Sequence, residues 1–269
     1  MIPRLIAAVV GLAIVIPVLV TGGWPVGVLV ALVTAIAMDE WAGMLTHNDA
    51  EGRAANLRRA RLFLIPGGVL VHLAILYGPV AVHVSAIGVA VMAAMLFPMF
   101  TQSNVEKAGR EGLSYVAGVV YAPLLLATLV PLRDRSDGLW MIVFVLAVTW
   151  LGDTGAYFSG RFFGRTKLFE RVSPKKTVEG AVGGLVVSAI GGATIAHYAG
   201  LPFGMAEALV LSAVLDVAGV VGDLAESMLK RSWGVKDSGW IMPGHGGILD
   251  RVDSLLFTAP LLWAWLQLR

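Results

Sequence analysis

The sequence predicts an all-α protein, a polytopic transmembrane helix bundle of about nine spans. Three observations point there. Mean hydropathy is +0.80, and 57% of the 269 residues are hydrophobic. Only 14% are charged, against about 25% in an ordinary soluble domain. Several apolar runs approach about 20 residues, the length that crosses a bilayer as a helix. The runs are continuous rather than alternating, which argues against a membrane β-barrel. So much apolar surface also excludes disorder. Cysteine is absent, which removes disulfides, thiolate metal sites and cysteine nucleophiles.

In chain order the expected spans are Leu5–Val20, Trp24–Met38, Leu62–Tyr77, Val80–Phe100, Leu113–Pro131, Leu139–Phe158, Ala181–Ala199, Met205–Val221 and Leu255–Leu268. Gly22-Gly23-Trp24-Pro25 and Tyr77-Gly78-Pro79 read as tight turns between antiparallel helices. The first span follows a single basic residue, Arg4, and no small-x-small cleavage site follows Val20, so it is expected to be retained rather than cut as a signal peptide. With nine spans, seventeen of the 20 basic residues fall on one side, and Arg133, Arg135 and Arg269 on the other. The positive-inside rule then puts the N-terminus and the long loops in the cytoplasm. The largest pieces outside the spans are roughly Asp39–Arg61, Gly160–Gly180 and Gly222–Asp253. All are too small to fold alone, so the chemistry is expected at the cytoplasmic membrane face.

Ionisable residues in or beside a span need a reason, and two stretches concentrate them. The first runs from Gly152-Asp153-Thr154-Gly155-Ala156-Tyr157 to Ser173-Pro174-Lys175-Lys176-Thr177-Val178-Glu179-Gly180. Ser173 before Pro174 reads as a helix N-cap, with Lys175, Lys176 and Thr177 in the first turn. A helix N-terminus with two lysines is an anion site, most naturally for phosphate. The plainer reading is that the lysines hold topology or touch anionic lipid. Asp153 suits an interhelix hydrogen bond as well as a ligand role.

The second stretch begins Gly222-Asp223-Leu224-Ala225-Glu226-Ser227, followed by Lys230 and Arg231. As a helix it puts Asp223, Glu226, Ser227 and Lys230 on one face. Lys236-Asp237, the Gly244-His245-Gly246-Gly247 loop and Asp250-Arg251-Val252-Asp253 follow. Asp250 and Asp253 share a face if that segment is helical. Glycines let backbone N–H groups approach a phosphate, and His245 binds phosphate or positions the loop. Carboxylates beside lysine and arginine suit a divalent metal with a polyphosphate, and Mg²⁺ commonly takes one or two carboxylates plus substrate oxygens. Ordinary interfacial ion pairs are the alternative, and they leave the glycines unexplained. His47, His72, His83 and His197 read as packing or loop residues, and Asp216 as a buried span residue without a catalytic role.

Ser227-Met-Leu-Lys230-Arg231, then Lys236-Asp237, then Pro243-Gly-His245-Gly246-Gly247-Ile-Leu-Asp250-Arg251-Val-Asp253 resembles the signature of the phosphatidate cytidylyltransferases, or CDP-diacylglycerol synthases. The 152–157 and 173–180 segments are similar to a second region of that family. The resemblance implies a division into N-terminal spans, 1–111, and a catalytic region, 112–269, with the signature at 227–253. It implies transfer of a cytidylyl group from CTP to phosphatidate, giving CDP-diacylglycerol and pyrophosphate. It implies Mg²⁺, with K⁺ as a further cation, and a homodimer in the bacterial cytoplasmic membrane, with the lipid bilayer but no nucleic acid as partner. By position, Asp223 and Asp250 would be metal ligands, and Lys230, Arg231, Lys236 and Arg251 would hold phosphates. Ser227 would lie close to the metal. Asp253 would orient Arg251 or add a ligand.

A phosphate monoester is already largely ionised near pH 7, its second pKa being about 6, so no strong general base is expected. Another CTP-dependent lipid kinase or phosphotransferase is the nearest rival. The CDP-alcohol phosphotransferase motif is absent, because Asp137-Gly138 runs into Leu139-Trp140. A transporter would place its charges near the midplane, often in repeated halves, and neither feature is visible.

Overall fold

The computed structural model describes residues 2–49, 52–241 and 246–269. His245, a candidate phosphate-binding residue, lies outside the described residues, as does Gly244. The chain forms two compact units, Met1–Pro131 with Ser232–Arg251, and Leu132–Arg231 with Val252–Arg269.

The first unit holds α1 (Ile2–Thr21), α2 (Trp24–Leu45), α3 (Arg53–Tyr77), α4 (Val80–Thr101) and α5 (Val105–Ala127), and α6 (Leu129–Asp134) begins at its edge. Gly22 and Gly23 adopt φ of +70° and +63°, the left-handed backbone that lets α1 reverse into α2. Asn104 caps α5 by accepting from the Lys107 N–H at 2.9 Å. The core is aromatic. Phe63 stacks between Phe97 and Tyr115 at centroid distances of 5.0 and 5.3 Å, and the buried Trp41 donates to the Ser114 carbonyl at 3.0 Å. Small residues allow close helix approach: a Cβ on Gly68 would stand 2.6 Å from Met38 Cγ. α2 continues to Leu45 past the expected end at Met38, because Trp41, Ala42 and Met44 extend its buried stripe. Asp39 and Glu40 are therefore helical rather than in a loop.

Segment 232–251 packs into this first unit. Trp233 meets Trp41 edge-on at 5.0 Å, and its carbonyl accepts from Asn48 Nδ2 at 3.0 Å.

The second unit contains α7 (Gly138–Phe163), a hairpin of β1 (Lys167–Phe169) and β2 (Ser173–Thr177), α8 (Val178–Tyr198), α9 (Met205–Ser232) and α11 (Leu255–Leu268). α10 (Leu249–Val252) precedes α11. α7 and α8 meet along a glycine seam. A Cβ on Gly155 would stand 2.8 Å from Val187 Cβ and 2.9 Å from the Gly183 carbonyl, and one on Gly184 2.7 Å from the Gly152 carbonyl. Without a hydrophobic drive between helices in lipid, this close contact supplies the packing attraction. On α9, a Cβ at Gly222 would meet the Asp253 carbonyl at 2.6 Å.

The all-α expectation needs two local corrections. Ser173 is not a helix N-cap: Ser173–Thr177 is a strand, antiparallel to β1 with Lys167 opposite Thr177. The helix starts four residues later, because Thr177 is the residue whose Oγ1 accepts an N–H of the first turn, from Gly180 at 3.1 Å. Lys175 and Lys176 therefore stand on an extended strand. Asp250 and Asp253 do not share a helical face either, since α10 ends at Val252 and Asp253 lies in the following turn.

Among the described residues, seven helices are long and apolar enough to cross a membrane. Val9–Thr21 is an apolar stretch of α1, and Leu255–Leu268 is a shorter apolar helix. α4 is apolar yet only 6% buried within the protein, which suits a lipid-facing helix and not a soluble one. The chain is a helical, multi-pass membrane protein.

Candidate active site

The second unit encloses a cleft of about 370 Å³. Its walls come from α7, the hairpin, α8 and α9. Gly152, Gly160, Gly180 and Gly184 line its apolar part, and the polar groups on it are Asp153, Arg161, Lys175, Lys176, Thr177 and Asp216. The hairpin carries the two lysines to the cleft. It is held by Lys167 Nζ on the Pro174 carbonyl at 2.6 Å and by Glu179, whose carboxylate accepts from the Arg165 and Thr166 N–H groups at 3.0 and 3.1 Å. Arg161 is steadied by the Tyr157 hydroxyl at 2.9 Å.

Asp223 and Lys176 are 47 positions apart in sequence, and the fold brings them together: Lys176 Nζ lies 2.7 Å from Asp223 Oδ2. Ser227 Oγ donates to Asp223 Oδ1 at 3.2 Å, one helical turn away as the spacing predicted. Asp253 joins the same electrostatic neighbourhood. Burial, and then the charge of Asp223, push its carboxyl up to about 7, while Lys230 pulls it down. Lys230 is itself buried and lies 3.2 Å from the buried Glu226. Arg231 is exposed.

In the first unit, Asp250 Oδ2 accepts from the Ser238 N–H and Oγ, both at 2.9 Å, and from the Gly247 N–H at 2.8 Å. The Gly247 N–H, expected to face a phosphate, is thus directed at Asp250. Gly246 takes φ +80°, a backbone open mainly to glycine. Lys236 and Arg251 are exposed.

Two residues were missed or undervalued. Asp216, read as a structural span residue, lines the cleft and packs over Gly152. Glu40, near the end of α2, accepts from the Ile248 and Leu249 N–H groups of the signature segment. The only sequence signal for either is a carboxylate in an apolar helix.

The donor set fits Mg²⁺. Asp223 and Asp253 supply carboxylate oxygens, and the Asp253 carboxyl is raised first by burial and then by the charge of Asp223, which a divalent cation would offset. Among the described residues no cluster of three or more acidic or histidine side chains forms a cage, and Mg²⁺ needs none where water and substrate oxygens complete its shell.

The chain matches the Cytidylyltransferase family over residues 2–269. It is similar to a phosphatidate cytidylyltransferase of Staphylococcus haemolyticus, 33% identical over 265 residues and 96% of each chain. One of Synechocystis sp. is 31% identical over 98% of this chain and 96% of its own. One of Brucella suis is 46% identical over 148 residues, 55% of this chain and 54% of its own.

Proposed function

The chain belongs to the cytidylyltransferase family, and from that premise we propose that it transfers a cytidylyl group from CTP to phosphatidate. The products are CDP-diacylglycerol and pyrophosphate. The observation that carries this reading is the full-length match to phosphatidate cytidylyltransferases at 31–33% identity. The cleft supports it: an apolar glycine-lined floor with Arg161, Lys175 and Lys176 around it suits a phosphate headed by cations above apolar chains.

A phosphatidate oxygen attacks the α-phosphorus of CTP, a new P–O bond forms, and the bond to the β-phosphate breaks as pyrophosphate leaves. The nucleophile is already an anion, so the residues' task is to position and to neutralise charge. Lys175, Lys176 and Arg161 hold phosphate oxygens, with Arg231, Lys236 and Arg251 as further candidates. Lys176 leaves Asp223 for a phosphate as substrate enters. Asp223 and Asp250 are the proposed metal ligands, Asp253 a third candidate, and Ser227 orients Asp223. When bound, Mg²⁺ neutralises charge on the α-phosphate and the departing pyrophosphate. K⁺ is a proposed second cation, and a homodimer the proposed assembly.

We place the protein in the bacterial cytoplasmic membrane with nine spans, the N-terminus and hairpin in the cytoplasm. CTP is present there, and seventeen of the 20 basic residues fall on that side. The deciding experiment offers purified protein phosphatidate with each nucleotide in turn, varies Mg²⁺ and K⁺, and measures pyrophosphate release. Formation of CDP and a phosphorylated lipid from diacylglycerol, without pyrophosphate, would overturn the assignment in favour of a lipid kinase.

A further inference from the structure

Near the end of α2, the Glu40 side chain contacts the signature segment. Glu40 is only 6% exposed. Its Oε1 accepts from the Ile248 N–H at 2.7 Å, and its Oε2 accepts from the Leu249 N–H at 2.9 Å and from Ser238 Oγ at 3.1 Å. These partners lie about two hundred positions away in sequence. The same Ser238 hydroxyl lies 2.9 Å from Asp250 Oδ2. It has one hydrogen and stands between two carboxylates, so it links Glu40 to Asp250 and donates to one of them at a time.

The glycines follow from this seat. A Cβ on Gly239 would stand 2.7 Å from Glu40 Oε1, and one on Gly247 would stand 2.5 Å from the same carboxyl. Gly239 and Gly247 thus leave room for a buried carboxylate, and for Gly247 this is a different reason from the phosphate approach expected of it. Nearby, Trp233 packs on Trp41 and accepts from Asn48, which fixes the start of the segment to α2 and the turn after it. Three donors converge on Glu40, which as a carboxylate only accepts. A glutamine would have to turn an amide N–H₂ toward one of them.

We propose that Glu40 is a positioning residue for the signature segment: its buried carboxylate seats the 246–250 turn and, through Ser238, sets the placement of Asp250. The consequence for catalysis rests on the proposed reaction and on Asp250 as a metal ligand; the clamp itself does not.

The test uses the full-length protein in detergent and the Glu40→Gln variant, with Asp39→Asn, an exposed neighbour paired to Arg61, as control. Amide hydrogen exchange at Ile248 and Leu249, measured without metal, should quicken by about ten- to a hundredfold in Glu40→Gln, the range lost with hydrogen bonds to a charged group. The Mg²⁺ concentration for half-maximal pyrophosphate release should rise several-fold, with the KM for CTP at saturating Mg²⁺ nearly unchanged. Asp39→Asn should move neither. If Glu40→Gln does not fold, Gly239→Ala crowds the same carboxylate without removing it and should shift both readouts the same way. Unchanged exchange overturns the clamp. Faster exchange with unchanged Mg²⁺ dependence overturns positioning and leaves a structural bond. If wild type releases no pyrophosphate, the proposed reaction fails, while the exchange result still judges the clamp.

Discussion

Lys176 and Asp223 lie 2.7 Å apart, so a lysine of the cleft has a carboxylate counter-ion within the protein. Each charge is half of the proposed chemistry: the lysine for phosphate, the carboxylate for metal. Asp223→Asn should abolish CDP-diacylglycerol formation while leaving membrane insertion intact, and Asp250→Asn should do the same. Turnover near wild type at limiting Mg²⁺ in either variant would remove that residue from the metal site. Replacing Lys175 and Lys176 together by Gln should raise the apparent KM for one anionic substrate about tenfold, the loss of roughly 1.4 kcal/mol of binding. An unchanged KM for both substrates would return the pair to a topological role. Asp253 carries a pH signature. Its carboxyl titrates near 7 in the folded protein and near its ordinary value, about 3.9, in the unfolded chain. Between those values the unfolded chain ionises and the folded one stays protonated, so stability falls as pH rises toward 7 and then levels off. In chelator, Asp253→Asn should melt with wild type near pH 4 and increasingly above it toward pH 7. Parallel melting curves across that range would refute the burial argument.

At the scale of elements, apolar periodicity and length are properties of local sequence, and the helices came out where those runs lie. Asp223 and Ser227 on one helical face were equally legible, because four residues make about one turn. The hairpin was not. Ser173-Pro174 satisfies the rules for a helix start, and so does Thr177 with Glu179 behind it, and a local rule cannot rank two adjacent caps. Tertiary contacts chose: Thr177 Oγ1 caps Gly180 and lies close against Gly160 and Gly164, while Lys167 binds the Pro174 carbonyl. Glu40 was illegible for the same reason, since its partners are two hundred positions away. The glycine seam of α7 and α8 gives a prediction at this scale. Gly155→Leu would push into Val187 and the Gly183 carbonyl and should destabilise by at least the ~1–3 kcal/mol typical of overpacking. Gly88→Leu on α4, where nothing stands within 4 Å, should be neutral. Thermal melts in one detergent compare them, and equal melting temperatures would mean that the seam does not hold the helices.

For the whole molecule, orientation is the property that joins the cleft to its soluble substrate. CTP can reach Lys175 and Lys176 only if the hairpin lies in the cytoplasm. That would follow from nine spans, and α1 and the short α11 decide the count at the ends. Dropping the first alone would invert the parity read from the N-terminus, but it would not move the basic loops, whose charge asymmetry is independent of where counting starts. The sequence makes the question directly testable, because it contains no cysteine and any introduced thiol is unique. Glu170→Cys in the hairpin turn should react with a membrane-impermeant maleimide only after cells are opened. Ser136→Cys, between α6 and α7, should react in intact cells. Labelling of Glu170→Cys in intact cells would put the lysines on the side without CTP, and the cleft of the second unit could then not be the nucleotide site.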